Sequence, residues 1–232
     1  MKAARADYTI RQVETVMERG RALAELASGT LINLHWTSME AQAERGLSVV
    51  HIPIHRGLIG YRVFLIKRDR QTDFDQVETL NDLQTLTGVQ GLGWIDAEIM
   101  RSAGLDVQTT SNYETAFKMV AGGRVDYFPR GMVEAFPELD ARDQSDPDLV
   151  AEKRLLLAYR SDFVFYVAPT HDRLATTIAR GFAAAYRDGS YMKLFNTHPY
   201  IQDAYKRTRL SERKVIHLNN PYLSAEDKAI PE

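Results

Sequence analysis

Residues 25–41 read ELASGTLINLHWTSMEA, and residues 118–135 read KMVAGGRVDYFPRGMVEA. Each stretch is the end of an amphipathic helix, a glycine stop (Gly29; Gly122 and Gly123), a short apolar strand and a polar turn. Glycine fits just past a helix because it takes the left-handed conformation without a Cβ penalty. The recurrence of this unit in both halves of the chain predicts two lobes of similar α/β topology. In open α/β sheets ligands sit beyond the carboxyl ends of strands. Two such lobes facing each other would make a cleft, so binding residues are sought where the strands end.

Working outward from these copies, Tyr8–Val16 alternates loosely and reads as a strand, and a helix spans Gly20–Ala27. YRVFLIK at 61–67 and FVFYVA at 163–168 are near-continuous apolar runs, the pattern of strands buried on both faces. Strands are expected at 31–36, 48–54, 85–91, 105–109 and 125–128, with helices at 95–103 and 113–121. Ser111 and Glu114 fit a capping box for the second of these helices. Leu174, Ile178, Phe182 and Ala185 mark a long amphipathic helix stopped at Asp188-Gly189, and Ser190 reads as the cap of a short helix after it. The two apolar runs read as crossing strands that form a hinge. Lobe 1 is then residues 1–66 with 168–232, and lobe 2 is 67–167.

Composition narrows the function. A chain of 232 residues, 44% hydrophobic and 26% charged, can bury a real core and is not disordered. The 29 Lys and Arg nearly balance the 31 Asp and Glu, so no basic field points to nucleic acid. The absence of cysteine excludes disulfides, thiolate catalysis and Cys-based zinc sites. No apolar run of about 18 residues marks a membrane span. The opening MKAARADYTIRQVE has no apolar core of a signal peptide. Six histidines (35, 51, 55, 171, 198, 217) show no metal-ligand spacing; His51 and His55 are separated by Pro53, which argues against one helix presenting both. No metal and no cofactor are expected, and no nucleophile–base–acid set stands out.

HIPIHRGLIGYRVFLIKR (51–68), LNDLQTLTGVQGLGW (80–94), SNYETAFKMVAGGRVDYFPRG (111–131) and the helix-DGS segment ending at Phe195 resemble, in that order, the family 3 bacterial extracellular solute-binding proteins. These are the periplasmic partners of polar amino-acid ABC transporters. The resemblance runs from about Tyr8 to Leu223. It implies an α/β, type II periplasmic-binding fold of two lobes, capture of a small polar solute, a permease as partner, and a periplasmic location. Family members open with a strand and a helix ahead of the segment equivalent to Tyr8–Val16, so this sequence reads as starting within that helix, with lobe 1 short of its opening strand.

Transport members carry an Arg after the lobe 1 turn, for the ligand carboxylate, and an Asp after the lobe 2 strand, for its ammonium. Here those turns read TSMEAQAE, with Glu40, Ala41 and Gln42, and PRGM, with Arg130 and Gly131. Neither half of that grip is in place, so an anionic or carboxylate-bearing ligand is expected over an ordinary zwitterion. The candidate ligand-binding residues are Trp36, Thr37 and Ser38 at the first strand end, Arg62 on the first apolar run, and Gly93, Trp94 and Arg130. Gly93 and Trp94 lie where free N–H groups precede a helix. Core packing is the competing role for Trp36, and an internal ion pair for Arg62. Two alternatives use the same scaffold: a dehydratase resembling cyclohexadienyl dehydratase, with Glu134 as its acid, and a sensory ligand-binding domain.

Overall fold

The computed structural model describes residues 8–231. In chain order the elements are α1 (Arg19–Ser28), β1 (Leu34–Ser38), β2 (Ser48–Val50), β3 (Tyr61–Lys67), α2 (Gln71–Asp75), α3 (Leu80–Leu83), β4 (Thr87–Gly91), α4 (Ile95–Ser102), β5 (Asp106–Thr110) and α5 (Tyr113–Ala121). They continue as β6 (Tyr127–Gly131), α6 (Ala135–Asp140), β7 (Leu149–Ala151), β8 (Leu155–Ala158), β9 (Phe163–Val167), α7 (Asp172–Arg187), α8 (Ser190–Thr197), α9 (Pro199–Thr208), β10 (Lys214–His217) and α10 (Ala225–Ala229). Two compact units result: unit 1 takes residues up to 56, 162–198 and 222 onward, and unit 2 takes 57–161 with 199–221. Among the described residues no helix is long and apolar enough to cross a membrane.

Unit 1 is built on β9. It is the middle strand of an antiparallel sheet ordered β1-β9-β2. Side chains alternate across a strand, so FVFYV feeds two cores. Val164 and Tyr166 pack with Leu26 of α1, Met39 and Leu223, whereas Val167 packs with Val50 and with Ala175 and Ile178 of α7. The amphipathic period expected for α7 is what presents the latter pair.

Unit 2 holds the larger sheet, ordered β10-β8-β3-β6-β4-β5, with β7 also pairing with β3. The apolar run of β3 is buried from Arg62 to Ile66, and it pairs with β6 along one edge and with β7 and β8 along the other. Phe64, Phe74 and Tyr127 pack edge-on or tilted beneath it, with ring centroids 5.0–6.1 Å apart.

The two apolar runs are therefore sheet interiors, each inside one unit, and not crossings. The expected boundary at 66/67 falls at the end of β3, whereas the division lies at 56/57; the expected 167/168 boundary gives way to 161/162. Residues 199–221, assigned by sequence to lobe 1, belong to unit 2, because β10 adds in parallel to β8. Tyr8–Val16 is irregular and largely exposed, and pairs with no strand among the described residues. Asn112, not Ser111, caps α5, its side chain accepting from Thr115 N at 3.0 Å. Ser190 is the first residue of α8 rather than its cap, and its N–H donates to Asp188 Oδ1.

The repeated unit is real in the backbone. Gly29 has φ of 66° and Gly123 has φ of 67°, and a five-residue strand follows each. A side chain at either position meets the left-handed penalty of about 1–2 kcal/mol. At Gly29 the added Cβ would also lie 2.8 Å from Thr170 Oγ1, while at Gly123 it meets open space. Gly123→Ala should thus lose about 1–2 kcal/mol, and Gly29→Ala more, as measured by thermal or denaturant unfolding. Equal losses would contradict this difference in packing.

His35 on β1 gives a pH expectation. Burial, with the charge of Arg19 adding, holds its pKa below the ordinary value. As pH falls through about 6.5 the unfolded chain takes up this proton before the folded one does. The stability tied to His35 is full above that pH and is lost as pH falls toward the folded pKa. His35→Gln should flatten the stability–pH curve below about pH 6.5, which denaturant titrations at several pH values would read.

Candidate functional site

At the end of β1 in unit 1, Trp36 is 56% exposed, while Thr37 and Ser38 are buried. The Thr37 hydroxyl accepts from Arg19 Nε at 3.1 Å, and Arg19 also pairs with Glu40. Ser38 contributes its carbonyl to the Tyr166 hydroxyl at 3.0 Å. An arginine does reach the strand end of this unit, then, but from the first turn of α1 rather than from the turn after β1. No local pattern marks Arg19, which is 18 residues before its partner Thr37. Trp36 is surface and not core.

Unit 2 assembles a denser cluster. Register pairs Arg62 with Gly131 and Val63 with Arg130 across β3 and β6. Arg62 is 2% exposed, with Nη2 2.5 Å from Asp96 Oδ1 and Nη1 3.8 Å from Glu134 Oε2. Tyr159 donates its hydroxyl to Asp96 Oδ1 at 2.5 Å and lays its ring under the Arg62 guanidinium. Asp96 stands in the first turn of α4, where the helix N-terminus also favours a carboxylate.

Arg130 is held along the Nε–Nη2 edge of its guanidinium. Nε and Nη2 each donate to Glu138 of α6 at 2.7 Å, and Nη2 lies 3.2 Å from Glu134 Oε1. The Tyr113 hydroxyl donates to Glu138 at 2.5 Å. The rings of Trp94 and Phe128 lie 5.0 Å from the guanidinium carbon, and that of Tyr113 5.8 Å. Glu134, just past β6, also accepts from Gly131 N at 3.0 Å.

Burial opposes the charge on both arginines. The facing carboxylates, Asp96 for Arg62 and Glu134 with Glu138 for Arg130, outweigh it and raise both pKa values. Burial first, with Glu138 adding, raises the Tyr113 phenol, and burial raises the Tyr159 phenol well above its ordinary value. Two guanidiniums thus face three carboxylates, all held by hydrogen bonds or ion pairs at the end of one sheet.

Of the residues singled out in the sequence, Arg62, Trp94 and Arg130 meet in this cluster. Gly93 turns the chain into α4 with φ of 76°, and Trp94 stacks on Phe128 at 6.3 Å and lies against Gly91. Glu138 and Tyr159 were missed. Glu138 occupies the fork that an anionic ligand was expected to fill, so Arg130 forms an internal ion pair.

No protein-family model matches the sequence, and no curated protein matches it. Solved structures do match in fold. An amino-acid ABC transporter substrate-binding protein from Streptococcus pneumoniae Canada MDR_19A, bound to L-arginine, aligns over 84% of this chain and 76% of its own, with a TM-score of 0.59 at 16% identity. An ancestral amino-acid-binding protein, described as a precursor of cyclohexadienyl dehydratase, aligns over 75% and 71%, with a TM-score of 0.53 at 16% identity. A histidine kinase sensor domain with similarity to periplasmic binding proteins aligns over 76% and 73%, with a TM-score of 0.54 at 19% identity. The chain has an α/β fold of the type II periplasmic-binding-protein kind, in two units.

Proposed function

We propose that the chain is a solute-binding protein that captures a small carboxylate-bearing solute of the amino-acid class, in the periplasm, for an ABC transporter. The observation that carries this reading is the state of the unit 2 cluster. Arg130 is already gripped bidentately by Glu138, the strong geometry for a guanidinium–carboxylate pair. Glu134 stays partly exposed beside it and keeps acceptor capacity. Such a cluster favours an ammonium or guanidinium group on the ligand over a simple anion, which reverses the charge preference expected from Arg130 alone. Structural neighbours described as bound to arginine and to glutamine support the same class. The dehydratase alternative asks Glu134 to act as an acid. It receives Gly131 N–H and faces two guanidiniums, the surroundings of an acceptor.

Calorimetry and thermal shift with L-arginine, L-glutamine and succinate test the reading. A cationic or zwitterionic amino acid should bind and, at a hundred times its Kd, add about 2.7 kcal/mol of stability. Glu134→Gln should weaken that binding by about 1.5–3 kcal/mol, the worth of a hydrogen bond to a charged group. Succinate binding tightly, with Glu134→Gln without effect, would overturn it.

Arg130→Ala should act on the fold. Removing one partner of a buried ion pair costs about 3–5 kcal/mol, so the loss should appear in unfolding without any ligand present. A variant as stable as the parent but unable to bind succinate would restore the anion reading.

A further inference from the structure

We propose that unit 1 carries a divalent-metal site, with zinc as the fitting ion, formed by Glu44, His51 and Asp227. The three come from separate places: Glu44 from the turn between β1 and β2, His51 from just after β2, and Asp227 from the first turn of α10. Each offers one ligand atom, and these atoms lie within 4.8 Å of one another. His51 Nδ1 is 2.8 Å from Asp227 Oδ1 and 4.0 Å from Glu44 Oε1.

Two further observations mark the place as more than surface acidity. Asp227 is 0% exposed, so its carboxylate lies wholly out of water beside the His51 imidazole. Glu44 Oε1 is also buried and meets no hydrogen-bond donor.

The donor set selects the ion. Zinc binds imidazole nitrogen and carboxylate oxygen at about 2.0–2.2 Å, which sets ligand atoms of a tetrahedral site roughly 3.4 Å apart. The 2.8 Å pair would open and the 4.0 Å pair close by about half an ångström each, a movement within the reach of side-chain torsions. Magnesium and calcium prefer more oxygens and no imidazole. The His51 side chain is partly exposed, so a water can complete the fourth position. The site would pin α10 to the segment that carries β2. Histidine spacing gives no sign of it, since the partners of His51 lie seven residues before and 176 residues after it.

The test is calorimetric titration of the chelator-stripped full chain with zinc chloride, repeated with calcium chloride. The expected result is one equivalent of zinc bound and no matching uptake of calcium. His51→Asn keeps an amide that can donate to Asp227, and Glu44→Gln keeps the shape while removing one charge. Both should weaken zinc binding on the order of a hundredfold or more, with circular dichroism of the metal-free proteins unchanged. Cobalt(II) gives a readout that needs no variant: a tetrahedral visible spectrum supports the site, and an octahedral one overturns it. No stoichiometric zinc, or zinc bound equally by parent and variants, overturns it as well. A Glu44→Gln protein that is more stable than a zinc-free, zinc-blind parent would show that a shared proton holds the carboxylates together.

Discussion

Two arginines on neighbouring strands of one buried sheet impose the main constraint on unit 2. Across β3 and β6, Arg62 stands opposite Gly131 and Arg130 opposite Val63, so strand alternation assigns the two side chains to opposite faces. Neither can be left in an apolar sheet without a partner, because an uncompensated buried charge costs several kcal/mol. On one face Asp96 and Tyr159 serve Arg62; on the other Glu138, Tyr113 and the Trp94 and Phe128 rings serve Arg130. Glu134 lies just beyond the strand end and, among the described residues, is the one carboxylate within ion-pair distance of both guanidiniums. The start of α4 and the whole of α6 are thereby tied to the sheet by charge as well as by apolar packing.

The local code of the chain was readable where the physics is local. Helix, left-handed glycine and strand recur at Gly29 and Gly123 because the stop depends on one residue's backbone freedom. YRVFLIK and FVFYV read as buried strands because their periodicity leaves no face for water. What could not be read depends on pairing at a distance. β10 joins β8 in parallel across an intervening β9, α7, α8 and α9, and nothing in KVIH says which sheet it will enter. Arg19 reaches the end of β1 from another element. The fork of Arg130 was legible as a guanidinium at a strand end, but its occupant sits eight residues on, in α6, and only the fold brings it round.

Both units therefore present ion pairs that are complete in themselves, Arg19 with Glu40 and Arg130 with Glu138. A self-satisfied pair does not contribute to affinity by existing; only the difference between its free and bound arrangements counts. A ligand carboxylate could take the Nε–Nη2 edge of Arg130 only by expelling Glu138, which would leave that largely buried carboxylate without its guanidinium. An ammonium placed against Glu134 expels nothing, because that carboxylate keeps its Gly131 N–H and its nearby guanidiniums and still has lone pairs to offer. Discrimination then rests on what has to be displaced rather than on which charges are present. The same arginine that marks an anion site when read alone is, once its partner is counted, already paired from within unit 2.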